Sequence, residues 1–248
     1  MSLTSILIPA RNEEKNLPFT IGRIQKKLNP KGINYEILIV NDNSTDGTKK
    51  IVEELARTNP RIRMVDNPPP SGIGNAIKKG LNEFKGDHVI ICMADASDSP
   101  QDMLEYIKAL NEGFDCCFGS RWHKRARVIA YPKHKLFLNR LANLFIQVLF
   151  GLAYNDTTNA FKCYSRKTVQ GLMPIWSHHF NITVELPLKA IARGYIFKIV
   201  PTNWYNRRKG SSSLKIQEMG SRYLYVVLCI LFEKLLCQAD YAKKEPAK

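Results

Sequence analysis

The chain has 248 residues, 44% of them hydrophobic and 24% charged, enough apolar material for a full core and unlike a disordered or fibrous sequence. Thirty-seven Lys and Arg stand against 22 Asp and Glu, a formal charge of +15, so the surface favours anionic partners: nucleic acid, phospholipid or a phosphorylated substrate. No run of about 18 apolar residues is present to span a bilayer and no basic-then-apolar leader opens the chain. The six cysteines lack the paired spacing of a zinc site and read as small buried hydrophobes of a reducing compartment.

In chain order, Thr4 to Ile8 reads as a buried strand running into the polar loop Pro9-Ala10-Arg11-Asn12-Glu13-Glu14, with a helix from about Lys15 to Leu28. Tyr35 to Val40 repeats the pattern, entering Asn41-Asp42-Asn43-Ser44-Thr45-Asp46-Gly47 before a helix over Thr48 to Thr58. Asn67 to Asn75 is a proline-stiffened loop whose Gly72 and Gly74 would let backbone approach a ligand, although a plain loop before the helix Ala76 to Phe84 is the simpler account. The apolar run from Ile90 leads to Asp95 and Asp98, two carboxylates three residues apart. Strand, loop and helix repeated in this way predict a parallel sheet with right-handed crossovers, whose carboxyl-end loops crowd one edge, where ligands bind. Carboxylates placed there suit a magnesium or manganese ion held against a diphosphate, so a nucleotide or nucleotide-sugar site is the first hypothesis. Taken alone, an aspartate that closes a turn after a strand is the more ordinary event.

Pro100 opens a further helix, and Asp115 to Phe118 is a strand ending at Gly119-Ser120-Arg121. From Arg121 to Arg140 there are Arg121, Lys124, Arg125, Arg127, Lys133, Lys135 and Arg140 with no acid, a run that is either a solvated face or a surface for anions. Apolar residues recur at helical spacing from Leu136 to Leu152, which fits core packing and membrane contact equally. Asn181 to Arg193 is expected as a helix carrying Glu185 and beginning or bending at Pro187, followed by a strand over Tyr195 to Pro201. The apolar run Tyr223 to Phe232 is too short to cross a bilayer and reads as an interfacial or packing helix.

The motifs Pro9-Ala10-Arg11-Asn12-Glu13-Glu14, Val40 to Thr48, Asp95-Ala96-Ser97-Asp98 and Gly119-Ser120-Arg121 together resemble the family 2 glycosyltransferases of the GT-A fold. Asn139-Arg140-Leu141-Ala142-Asn143, Asp156 to Tyr164 and Arg207 to Leu214 narrow the likeness to the dolichyl or polyprenyl phosphate mannosyltransferase-like branch, over about residues 3 to 215. The resemblance implies an α/β fold, GT-A (Rossmann-like), with a mostly parallel central sheet, helices on both faces and C-terminal amphipathic helices. The implied divisions are a catalytic domain over residues 1–215, an interfacial or packing helix over 216–238 and a flexible tail over 239–248.

It also implies site roles: Pro9, Arg11 and Glu13 in the nucleoside pocket, Asp42 facing base or ribose, and the Ala96 backbone near the ribose. Asp95 would sit on the metal, with Arg121 and Arg207 on phosphates and Ser212 nearby. Ser97 stands where the family usually has a second aspartate, which moves that ligand to Asp98 or weakens the site. Asn41 replaces a frequent aspartate, and Ala160 a frequent glycine. The implied cofactor is Mg2+ or Mn2+.

A hydroxyl acceptor needs a carboxylate base, whereas a phosphate monoester is already ionised and needs cations to position it. Glu185 is followed by Leu186, not by the aspartate found in hydroxyl-directed relatives, so the expected reaction is inverting transfer of a hexose from a GDP- or UDP-sugar to a polyprenyl phosphate. The alternative is transfer to a cell-envelope glycan or soluble hydroxyl acceptor with Glu185 or Asp98 as base. The expected location is cytoplasmic, peripheral on an anionic membrane surface, as a homo-oligomer or with a separate membrane subunit. Nucleic acid is not an expected partner, because aromatics are not interleaved with the basic residues as a stacking surface requires.

Overall fold

The structure is a computed structural model that describes residues 2–206 and 216–243. Its elements in order are β1 Thr4–Ala10, α1 Leu17–Leu28, β2 Tyr35–Asn41, α2 Thr48–Thr58, β3 Ile62–Asp66, α3 Ile73–Glu83, β4 His88–Ile91, α4 Pro100–Asn111 and β5 Cys116–Ser120. There follow β6 Val128–Ile129, α5 Lys133–Phe150, β7 Lys162–Ser165, α6 Arg166–Gly171, α7 Ile182–Ala192, β8 Phe197–Pro201, β9 Trp204–Tyr205, α8 Ile216–Leu236 and α9 Gln238–Tyr241.

The main sheet has the order β3-β2-β1-β4-β7-β5-β8, in which β7 alone runs antiparallel to its neighbours. All seven residues of β1 and of β2 are buried, because helices cover both faces. The two-residue period of a strand then divides their side chains. Ile6, Ile8, Ile37 and Ile39 pack with α1, α2 and α4, whereas Leu7, Leu38 and Val40 pack with α3 and α7 on the other face. The helix α3 comes very close to β1: a Cβ added at Gly80 would lie 2.0 Å from a methyl of Leu7.

The chain steps from β1 outward to β2 and β3, then returns to place β4 on the other side of β1. This reversal opens a crevice between the carboxyl ends of β1 and β4, the position where doubly wound sheets bind ligands. A third apolar cluster joins Ile146 and Phe150 of α5, Val184 and Leu188 of α7, and Val226, Val227 and Ile230 of α8. From the segment 239–248, Lys243 pairs with Asp115 at 2.7 Å. Four strands were not expected, among them β3 at the sheet edge, and β6 and β9, which form a separate two-stranded parallel sheet. The fourth unexpected strand is β7, which carries a buried lysine at its start.

Candidate active site

The loops after β1 and β2 are stitched side by side. The backbone N–H of Asn12 donates to Ser44 Oγ at 3.1 Å and that of Glu13 to Thr48 Oγ1 at 2.9 Å. In return the Thr45 N–H reaches Asn12 Oδ1 at 2.8 Å and the Gly47 N–H reaches Glu14 Oε2 at 2.8 Å. Asn12 and Asn43 both hold positive φ, near 55°, the left-handed conformation that asparagine tolerates best among residues with a side chain. Pro9 ends buried in β1, Arg11 is exposed at the rim, and Glu13 accepts from Asn16 Nδ2 at 2.7 Å.

Asp42, expected to face a base or ribose, is buried and has both carboxylate oxygens engaged. Oδ1 takes Asn67 Nδ2 at 2.7 Å, and Oδ2 takes the Gly72 N–H at 2.9 Å. It thereby fastens the loop before α3 to the end of β2.

The acid loop between β4 and α4 is folded back on itself. The Met93 N–H donates to Asp98 Oδ2 at 2.8 Å and the Ser97 N–H to Asp95 Oδ1 at 3.1 Å. Ala96 sits at the tip with φ 63°, a left-handed turn that costs a residue with a Cβ about 1 kcal/mol. Helix α1 holds this turn from below, through Thr20 Oγ1 to the Ala94 carbonyl and Arg23 Nη1 to the Ala96 carbonyl, each at 2.7 Å. From the other side the Tyr205 N–H donates to the Ser97 carbonyl at 3.0 Å, and Asp98 bridges to Trp204. Burial, reinforced by the charge of Asp95 and partly offset by the Met93 N–H, pushes the Asp98 carboxyl up to about 7.

Arg121 follows β5 and is buried against Asp156. Its backbone N–H and Nε both reach Asp156 Oδ2 at 2.8 Å, and Nη2 reaches Oδ1 at 2.6 Å. Burial opposes the charge, but the Asp156 carboxylate outweighs it and holds the guanidinium protonated. Around this pair, Tyr154 Oη donates to the Asp156 carbonyl at 2.6 Å, while Asn139 and Asn143 of α5 donate to Thr158 Oγ1 at 2.7 and 3.0 Å. Lys162 is buried and donates to the carbonyls of Thr157, Asn159 and Thr183. Neither Asp156 nor Lys162 was singled out in the sequence; the only signal was their place in one ordered motif.

Glu185, the candidate base for a hydroxyl acceptor, is fully buried in α7 and fully engaged. Its carboxylate accepts from the N–H groups of Trp176 and Ser177 at 2.8 and 2.7 Å and pairs with Lys189 at 2.7 Å. A cleft of about 500 Å³ between the loop before α7 and α8 is lined by Trp176, His178, His179 and Arg222, and no acid-loop residue lines it. The structure therefore brings Pro9, Arg11, Glu13, Asp42, Asp95, Ala96 and Asp98 to the carboxyl edge of the sheet. Arg207 and Ser212 lie outside the described residues.

A family model described as Glycosyl transferase family 2 matches residues 5–172. The chain belongs to that family. This glycosyltransferase is 30% identical over 217 residues to a polyprenol monophosphomannose synthase of Mycolicibacterium smegmatis, a match covering 85% of this chain and 80% of that protein. It is 29% identical to a dolichol-phosphate mannosyltransferase of Pyrococcus furiosus, covering 85% of this chain and 59% of that longer protein. Among solved structures, glucosyl-3-phosphoglycerate synthase from Mycobacterium tuberculosis, in complex with Mn2+, uridine diphosphate and phosphoglyceric acid, superposes with a TM-score of 0.67. That match covers 94% of this chain and 78% of the other at 17% identity, a likeness of fold, and the fold of this glycosyltransferase is GT-A.

Proposed function

We propose that this glycosyltransferase moves a hexose from a GDP- or UDP-sugar to a polyprenyl phosphate at the cytoplasmic membrane face, inverting the anomeric centre. The observation that carries the reading is the engagement of Glu185, which leaves α7 no carboxylate to deprotonate a hydroxyl, beside a long segment rich in cations and without an acid. A phosphate nucleophile arrives already ionised, so it needs positioning rather than a base. The two mannosyltransferase relatives named above support the same acceptor class.

In this reading Pro9, Arg11 and Glu13 line the nucleoside pocket, and Asp42 shapes it by holding Asn67 and Gly72. The Ala96 backbone, presented at the loop tip, lies along the ribose. Asp95 and Asp98 would hold a Mg2+ or Mn2+ ion. Two carboxylates suit such an ion, because hard divalent cations accept them when a diphosphate and water supply the remaining oxygens. Burial is the main cause of the raised Asp98 carboxyl and the charge of Asp95 adds to it, so a cation beside them would favour the ionised form. When bound, the ion supplies charge neutralisation to the departing diphosphate. Arg121, its Nε and Nη2 edge locked on Asp156, presents its remaining nitrogen to a phosphate, and Arg207 and Ser212 complete the phosphate contacts.

The test is an acceptor panel with labelled nucleotide sugars. Transfer to polyprenyl phosphate is expected, and transfer confined to soluble hydroxyl acceptors would remove the proposal.

A further inference from the structure

Ser99-Pro100-Gln101-Asp102 has the sequence of a helix start, in which a serine before the first turn and an acid three residues later each cap a backbone N–H of the other. The structure makes neither bond. The Ser99 side chain caps no N–H of α4, and the Asp102 carboxylate bonds instead to Asn203, 101 positions on. Oδ2 accepts the Asn203 N–H at 2.7 Å, and Oδ1 accepts Asn203 Nδ2 at 3.3 Å. Asp102 is 6% exposed, and burial pushes its carboxyl up to about 6 against the pull of those two bonds. The dipoles at the start of α4 favour a negative charge there, yet the helix takes no cap from it. A buried carboxylate is costly unless it is hydrogen-bonded, and both of its bonds go to one residue of a distant loop.

Asn203 stands where the chain leaves the main sheet. Just before it the Thr202 N–H donates to the Ser120 carbonyl at 3.0 Å, closing β8, and just after it β9 begins at Trp204. Asn203 Oδ1 accepts the Arg127 N–H at 2.9 Å, so this side chain joins α4 to the basic segment as well. Beyond it β9 runs between two partners and uses the alternation of a strand. The N–H groups of Trp204 and Asn206 donate to the carbonyls of Arg127 and Ile129 at 2.8 and 3.1 Å, while that of Tyr205, between them, donates to Ser97. Asp98 bridges to Trp204 on the same side. The strand is thus a strap with one edge on β6 and the other on the acid loop. The Arg23 guanidinium, which holds the Ala96 carbonyl from α1, lies 5.8 Å from the centre of the Tyr205 ring, so the two supports of the acid loop meet.

Two paired strands of two residues each are too short to hold a position by themselves. The strap therefore depends on its anchor, and the anchor is the Asp102 to Asn203 pair at its entry.

We propose that Asp102 is a positioning residue for transfer: through Asn203 it fixes the strap β9, and the strap fixes the Ser97 to Asp98 side of the acid loop against the donor. Asp102 needs no contact with substrate for this. The inference rests on the donor site proposed above for its effect on turnover, whereas the coupling of Asp102 to the acid loop is readable without substrate.

The test compares the full-length wild type with Asp102→Asn, Asn203→Ala and the double variant, first by hydrogen exchange. In each single variant the amides of residues 93–98 and 203–206 should exchange about tenfold faster, the loss of one hydrogen bond to a charged group, while the loops over 12–14 and 44–48 keep the wild-type rate. The double variant should go no further than the singles, because the two residues act as one unit. In steady-state kinetics kcat should fall about tenfold in all three with the donor KM within about threefold, since displacement of the acid loop acts on the reacting geometry more than on the nucleoside contacts. Acid-loop exchange at the wild-type rate in both singles, a double variant whose loss is the product of the single losses, or a wild-type kcat beside a loosened loop would each overturn the proposal. The kinetics are read on the acceptor that the panel identifies. Transfer to a soluble hydroxyl acceptor with these same losses removes the polyprenyl phosphate reading and supports the positioning role; transfer to polyprenyl phosphate at the wild-type kcat in all variants removes the positioning role alone.

Discussion

Arg121 and Asp156 form a bidentate ion pair between side chains 8% and 0% exposed, joining the end of β5 to the loop before β7. Both charges have left water, so each depends on the other. Asp156→Asn is expected to destabilise the fold by about 3–5 kcal/mol, because it leaves a buried guanidinium without its counter-charge. Chemical denaturation of both proteins measures this, and a loss below about 1 kcal/mol would show the pair to be dispensable.

Glu185 offers a second test, since its structural and catalytic readings diverge. Glu185→Gln places an amide where two N–H groups and the Lys189 ammonium require an anion, and should also cost about 3–5 kcal/mol. At a temperature where the variant remains folded, its kcat should match the wild type. A large fall in kcat with unchanged stability would restore Glu185 as a base.

Lys162 predicts a pH dependence of stability. Burial pushes its ammonium down to about 7 against the pull of Asp156, so between pH 7 and the ordinary lysine value near 10.5 the unfolded chain binds more protons than the folded one. The cost of burying this charge is therefore fully present below pH 7 and fades as pH rises toward 10.5. Relative to Lys162→Met, the wild type should gain stability with rising pH, at a slope of up to about 1.4 kcal/mol per pH unit, in urea unfolding. A flat difference between the two proteins would contradict this.

Arg23 is remote in sequence from the acid loop yet donates to the Ala96 carbonyl at its tip. Arg23→Ala should loosen that turn and lower kcat/KM by about tenfold, with a midpoint change of no more than a few degrees. Steady-state kinetics beside a melting curve checks both parts.

The sequence made the fold visible where burial is continuous. In β1, β2 and β4 apolar runs end in polar loops, which locates the carboxyl edge and its acids. It hid β7, because a strand beginning at Lys162 reads as polar until three backbone carbonyls are brought to its ammonium. It hid β3 for a related reason: Arg63 and Asp66 interrupt the apolar pattern, and the arginine is accounted for by its pair with Glu36 at 2.7 Å and its hydrogen bond to the Glu83 carbonyl, both remote in sequence. Within the site, residue types were legible and commitments were not. The hydrogen bonds of Asp42 to Asn67 and Gly72 span 25 and 30 positions, and the Arg121 to Asp156 pair spans 35, so no local spacing announces them.

The central claim is that Asp95 helps to bind a divalent cation together with a nucleotide sugar. Thermal unfolding of the wild type and Asp95→Ala, with GDP- and UDP-sugars in the presence and absence of Mn2+, tests it most directly. At ligand about a hundredfold above Kd the wild-type midpoint should rise by about 5–10 °C with metal and donor together, and Asp95→Ala should lose the metal-dependent part of that rise. An Asp95→Ala protein that responds to manganese and donor as fully as the wild type would contradict the account.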